Sequence, residues 1–144
     1  MTGTARMTTH AVAPADFRSM YALDGRVALV TGASRGIGEA IALALARAGA
    51  IVVGTSTSDK GAEHVSRLIA EAGGKGEGRV LDVRDAAACA AFADKAAADF
   101  GPVAILVNNA GVTRDNLLAR MKDEEWDEIL ATNLRSVFVL SRAV

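Results

Sequence analysis

From Leu23 onward the chain switches between short unbroken apolar runs and longer stretches in which apolar residues recur every three or four positions. Residues 26–31, Arg-Val-Ala-Leu-Val-Thr, form the first such run and read as a strand. A helix follows, with Ile37, Ala40, Ile41, Ala44, Leu45 and Ala48 on one stripe and Gly49 as its stop. The same alternation predicts a strand over 51–54, then a helix carrying Ala62, Val65, Leu68, Ile69 and Ala72 that ends at Gly73-Gly74. A third strand is expected over 79–83. A helix with Cys89, Phe92, Ala93, Ala96 and Phe100 comes next, closed by Gly101-Pro102. The fourth strand covers 103–108. A single last helix runs from 123 to the end, with Trp126, Ile129, Leu130, Leu134, Val137 and Phe138 on its stripe.

Strands that alternate with helices make βαβ units and a parallel sheet. These strands are apolar at successive positions rather than at alternate ones, so both faces of the sheet are covered. The expected fold is α/β: a doubly wound parallel sheet of the Rossmann type, in strand order 3-2-1-4. The chain stops after the fourth strand and its following helix. Residues 1–22 lack lasting periodicity and read as a flexible extension. Residues 23–144 read as part of one domain, and 144 residues leave room for one at most.

Composition narrows the function classes. Sixteen basic and 17 acidic residues give a net charge of −1, and aromatics are only 4%, so no basic surface with interleaved aromatics invites nucleic acid. No apolar run approaches the ~20 residues of a membrane span. A single cysteine, Cys89, excludes an internal disulfide framework and fits a reducing, cytoplasmic setting. Cys89 falls on a core stripe and reads as an inert small hydrophobe. His10 and His64 stand apart from any carboxylate cluster, so no metal site is expected.

The chemistry concentrates at the first strand–helix junction, Thr31-Gly-Ala-Ser-Arg-Gly-Ile-Gly38. Gly32 permits the tight turn, Gly36 lets the backbone approach a pyrophosphate, and Gly38 lets the helix lie close to the strand. The helix N-terminus then offers unpaired N–H groups to an anion. The second strand is followed by Thr55, Ser56 and Thr57, with no carboxylate to bind a ribose 2′-hydroxyl. Asp59 falls farther out. Arg35 and Thr57 can instead meet a 2′-phosphate, which makes NADP the expected cofactor.

The spacing T-G-x-x-x-G-x-G, together with Asn108-Asn-Ala-Gly111 after the fourth strand, resembles the short-chain dehydrogenase/reductase family. Residues 112–118 and 120–126 (Val-Thr-Arg-Asp-Asn-Leu-Leu and Arg-Met-Lys-Asp-Glu-Glu-Trp) are similar to its bacterial β-ketoacyl-acyl-carrier-protein reductase branch. The resemblance covers residues 23–144, about the N-terminal half of such an enzyme. It implies that Gly32, Ala33, Ser34, Arg35, Gly36, Ile37 and Gly38 cradle the cofactor, with Asp82 and Val83 at the adenine. Asn109, Ala110 and Gly111 would meet the nicotinamide-side ribose.

Asn133 lies on the apolar stripe of the last helix, where an amide without partners would cost roughly 1–3 kcal/mol. The resemblance implies a catalytic role: it bends the helix around a water that passes protons to an active-site lysine. A purely structural asparagine is the alternative. The tyrosine and lysine that such enzymes use to protonate the product oxygen have no counterpart here. The only tyrosine is Tyr21 and the last lysine is Lys122.

The activity implied is NADPH-dependent reduction of a 3-oxoacyl thioester, carried on acyl carrier protein, to the 3-hydroxyacyl product in fatty-acid synthesis. The 144-residue stretch alone is expected to be inactive and to fold poorly. The last helix is expected to pair with a second copy in a homodimer or homotetramer. Arg114 and Arg120 stand in loops, as solvated residues or as contacts for an acidic carrier. Two alternatives stay open: reduction of another carbonyl such as acetoacetyl-CoA, and a non-catalytic nucleotide-binding or interaction module.

Overall fold

The structure, a computed structural model, describes residues 21–144; most of the expected N-terminal extension lies outside the described residues. Four parallel strands stand in the order β3-β2-β1-β4. They are β1 (Val27–Val30), β2 (Ile51–Ser56), β3 (Lys75–Val80) and β4 (Val103–Val107). The helices that return the chain are α1 (Gly36–Arg47), α2 (Asp59–Glu71) and α3 (Ala86–Phe100). After β4 come a short 3-10 turn (Leu118–Arg120), α4 (Asp123–Leu130), a π turn (Ala131–Arg135) and α5 (Ser136–Ala143).

Successive β1 residues serve opposite cores, which is why the strand reads as continuously apolar. Ala28 and Val30 pack with Val52, Ala42, Ala46, Val65 and Ile69 under α1 and α2. Leu29 packs with Val53, Cys89, Phe92, Ala96, Val139 and Leu140 under α3 and α5. Cys89 is fully buried, and burial pushes its thiol above the usual range, as expected of an inert core residue. Asp85 starts α3 by accepting from the Ala87 and Ala88 amides at 3.0 Å, and Ser58 starts α2 by accepting from Gly61 at 3.2 Å.

Two expectations need correction. The third strand is Lys75–Val80 rather than 79–83; Leu81 to Val83 form its exit. The glycines that look like punctuation are inside the strand. Gly78 pairs with Gly54, and a Cβ on it would overlap the Ala62 carbonyl of α2, so the bare backbone lets helix and sheet meet. The polar residue of this edge strand is also provided for. Arg79 pairs with Glu77 at 2.6 Å and with Asp99, and its guanidinium lies 5.4 Å from the Phe100 ring.

The last helix is not continuous. At Ala131–Arg135 the backbone widens by a residue, and the Ser136 amide bonds to the Ala131 carbonyl five positions back. Of the expected stripe, Trp126, Leu130, Leu134, Val137 and Phe138 are exposed. Thr132, Ser136, Val139 and Leu140 are the buried positions instead.

Candidate active site at the strand exits

The carboxyl ends of all four strands open into one cleft of about 1270 Å³, where ligands of open α/β sheets bind. From the β1 exit, Gly32, Ser34, Arg35, Gly36, Ile37 and Gly38 line it. Thr57 follows from β2, Asp82 and Val83 from β3, and Asn109, Ala110 and Gly111 from β4. Of the residues assigned to the cofactor, Ala33 alone is turned away. It is 1% exposed, packs in the core and donates its amide to the Thr55 carbonyl at 2.8 Å.

The glycine turn is fastened to the β4 exit by a residue whose importance the sequence reading passed over. The Thr31 hydroxyl accepts the Asn109 amide at 3.0 Å and the Ala110 amide at 2.9 Å. Asn109 returns the contact, donating from Nδ2 to the carbonyls of Thr31 (2.9 Å) and Gly32 (3.1 Å). Its Nδ2 is therefore engaged by protein. Gly38 sits in this junction, where a Cβ would collide with the Gly32 carbonyl and the Asn109 side chain. Gly36 adopts φ +59°, the left-handed conformation a glycine tolerates best. Arg35 caps α1 without any side-chain bond to its first turn, so the orphan N–H groups of that turn stay open to a ligand.

Asp82 is held in place before any ligand arrives. Arg84 Nη2 reaches Asp82 Oδ2 at 2.6 Å, its Nε lies 3.0 Å and 3.1 Å from the two oxygens, and its amide donates to Oδ1 at 3.0 Å. These bonds hold the Asp82 carboxyl below the usual carboxylate range. The chain of charge continues across the cleft. Arg84 Nη1 lies 3.7 Å from Glu128 on α4, and Glu128 binds Arg114 of the β4–α4 loop at 2.6 Å.

Asn133 lies inside the π turn and is exposed, not buried as its place on the stripe suggested. It has partners all the same: Oδ1 accepts the Val112 amide and Nδ2 donates to the Val112 carbonyl, both at 2.8 Å. Neighbouring Thr132 lines the cleft wall, and its buried hydroxyl has no hydrogen-bond partner among the described residues. Tyr21 lies beside Ala46–Gly49, away from the strand exits.

Other cleft residues went unassigned in the sequence: Ser58, Lys60, Gly61, His64, Arg84 and Glu128. Lys60 and His64 stand one helical turn apart on α2, a spacing that could have flagged them once Ala62 and Val65 were placed in the core. His64 Nε2 meets Glu39 at 3.1 Å and its Nδ1 meets Arg67 at 2.9 Å, a bridge from α2 to α1. Among the described residues no three metal-ligating side chains gather, and no helix is long and apolar enough to cross a membrane.

A parallel sheet in the order 3-2-1-4, with a glycine turn feeding a helix at the strand exits, defines a Rossmann-like α/β domain. Residues 26–144 match the short chain dehydrogenase family, and the chain belongs to it. It is 58% identical over 121 residues to the 3-oxoacyl-[acyl-carrier-protein] reductase FabG of Escherichia coli, covering 84% of this chain and 48% of the relative. The corresponding protein of Pseudomonas aeruginosa is 54% identical over 122 residues, covering 85% and 49%. A metagenomic short-chain oxidoreductase solved in complex with NADP superposes with a TM-score of 0.79 at 45% identity, covering 83% of this chain and 55% of that one. The chain spans about half the length of the curated relatives it matches. It is an oxidoreductase-family sequence, and the family implies a nicotinamide cofactor.

Proposed function

We propose that residues 23–144 are the N-terminal part of a single NADP(H)-binding Rossmann domain. The enzyme reduces a 3-oxoacyl thioester on acyl carrier protein to the 3-hydroxyacyl product. The observation that carries the cofactor reading is the β1–α1 junction: helix N–H groups without a side-chain cap, Gly36 at positive φ, and an Arg35 that lines the cleft with no side-chain partner among the described residues. The end of β2 beside it offers Thr55, Ser56 and Thr57 and no carboxylate; Asp59 belongs to α2 and does not line the cleft. The names and identity of the relatives support the substrate reading.

The residues fit such a cofactor. Gly32, Ser34, Gly36, Ile37 and Gly38 would hold the pyrophosphate against the positive end of α1. Arg35 and Thr57 would take the 2′-phosphate, Asp82 and Val83 the adenine, and Asn109, Ala110 and Gly111 the nicotinamide-side ribose. When bound, the nicotinamide supplies the hydride. Asn133 acts on this reading as a catalytic residue that helps carry protons, while its bonds to Val112 hold the loop beside Gly111. Protonating the product oxygen takes a tyrosine with a lowered pKa, and the one tyrosine of these residues, Tyr21, is not at the cleft. The 144 residues by themselves are inactive on this reading.

The exposed apolar face of Trp126, Leu130, Leu134, Val137 and Phe138 supports assembly with a second copy, as a cytoplasmic homodimer or homotetramer. The test is to give the full-length enzyme that contains these residues NADPH or NADH with acetoacetyl-CoA and with a 3-oxoacyl carrier-protein thioester. Turnover of NADPH faster with the carrier-bound substrate supports the proposal. Preference for NADH, or for a different carbonyl class, overturns it.

A further inference from the structure

Four ion pairs engage charged side chains that line the cleft, and the lining residues they leave out are informative. Among the basic residues lining the cleft, Arg84 is held by Asp82 and Glu128, and the His64 ring is bonded to Glu39. Arg35 and Lys60 also line it, and among the described residues neither has an ion-pair or hydrogen-bond partner for its side chain. They come from different elements: Arg35 from the β1–α1 turn and Lys60 from the first turn of α2.

Local helix energetics does not explain either position. Arg35 occupies the cap of α1, where a side-chain acceptor is favoured and none is supplied. Lys60 is the second residue of α2, where the macrodipole disfavours a cation. Two residues that break a local rule while facing one cleft mark a place where a ligand restores the balance. Their sequence neighbours in the lining bring hydroxyls and bare backbone, from Ser34, Thr57, Ser58 and Gly61. Cations, hydroxyls and amides, with no free carboxylate, suit a dianionic phosphate monoester better than a ribose diol.

We infer that Lys60 is a specificity-determining residue. It is the second counter-charge for the 2′-phosphate, so selection of NADP(H) over NAD(H) is shared between the β1–α1 turn and the first turn of α2. The inference rests on the NADP(H) reading above and adds to it a residue on a different helix. His64, one turn farther along α2, keeps its ring on Glu39 and Arg67 and serves as a wall, not as a third cation.

The experiment is a binding titration of the protein, followed by cofactor fluorescence for NADPH and NADH and by calorimetry for 2′,5′-ADP and 5′-AMP. It covers wild type, Lys60→Ala, Lys60→Glu and Lys60→Arg. Lys60→Glu is expected to weaken NADPH and 2′,5′-ADP by about tenfold or more, while NADH and 5′-AMP stay within about twofold. Lys60→Arg should retain most of the affinity, and the wild-type preference for NADPH should shrink as salt is raised. Unchanged NADH binding also shows that the variants are folded. If wild type does not prefer NADPH, the cofactor reading itself fails. If it does, but Lys60→Glu binds NADPH as wild type does, or loses both cofactors in parallel, the role of Lys60 is overturned.

Discussion

Asn133 holds Val112 by both backbone groups, accepting its N–H and donating to its C=O at 2.8 Å each, as a neighbouring strand would. The two residues come from the π turn and the β4 exit, so one amide side chain fixes the loop beside Gly111 to the last helical segment. Asn133→Ala should cost about 1–2 kcal/mol, roughly 1 kcal/mol for each bond lost, and should speed amide exchange across residues 112–122. Asn133→Asp keeps the acceptor but sets a carboxylate against the Val112 carbonyl, so it should be no better than alanine. Urea unfolding with exchange mass spectrometry checks both. Unchanged exchange in that loop would show that the pairing does not hold it.

On the proposed cofactor reading, Arg35→Glu would remove one charge-assisted contact to the 2′-phosphate and add repulsion. NADPH should bind on the order of a hundredfold more weakly, with NADH little changed. Fluorescence titration of both cofactors measures this, and equal loss for the two would refute the assignment.

The Asp82–Arg84 pair predicts a pH dependence. The carboxyl of Asp82 is lowered in the folded protein, chiefly by the side-chain hydrogen bonds from Arg84. Its stabilisation is therefore complete above the ordinary aspartate value of about 3.9 and is lost as pH falls through the lowered folded value. Asp82→Asn should be less stable than wild type at pH 7, and the gap should close as pH drops below about 4. A gap that widens in acid would contradict this sign.

Glu128 bridges Arg84 and Arg114, and its shorter contact, to Arg114, should show energetic coupling even though the pair is partly exposed. A double-mutant cycle of Glu128→Gln with Arg114→Ala should give a coupling of about 0.5–1 kcal/mol, screened away by salt. Strict additivity at low salt would mean the contact contributes nothing.

The face carrying Trp126, Leu134 and Phe138 should be covered by a second copy in solution. Leu134→Asp with Phe138→Asp should shift light scattering from dimer or tetramer to monomer while circular dichroism is kept. A wild-type monomer would dispose of that interface.

Most of the sheet was legible because β1, β2 and β4 are apolar on both faces and the glycine turn follows β1 directly. The strand order follows from the same glycine-turn fold. Glycine concealed the start of β3: residues 75–78, with Gly76 and Gly78, look like a loop until α2 is packed on Gly78, whereas Arg79 already read as strand and is paired with Glu77 and Asp99. The break at Ala131–Arg135 carries neither proline nor glycine, so hydrophobic periodicity missed it; only the resemblance, which has Asn133 bend the helix, pointed to it. The cleft was readable where motifs are contiguous, as in 31–38 and 108–111. Lys60, Arg84 and Glu128 gain meaning only from tertiary placement, because their partners or the lack of them lie on other elements.

The extra residue at Ala131–Arg135 sets the rotational phase of everything after it. One residue of a helix subtends about 100°, so α5 is turned by that angle from where an unbroken continuation of α4 would lie. Val139 and Leu140 thereby reach Phe92 and Cys89 in the core, while Trp126 and Leu130 look outward. A single rod of uniform pitch could not serve both addresses. Deleting one residue within 131–135 would leave every later side chain chemically intact and aimed at the wrong neighbour.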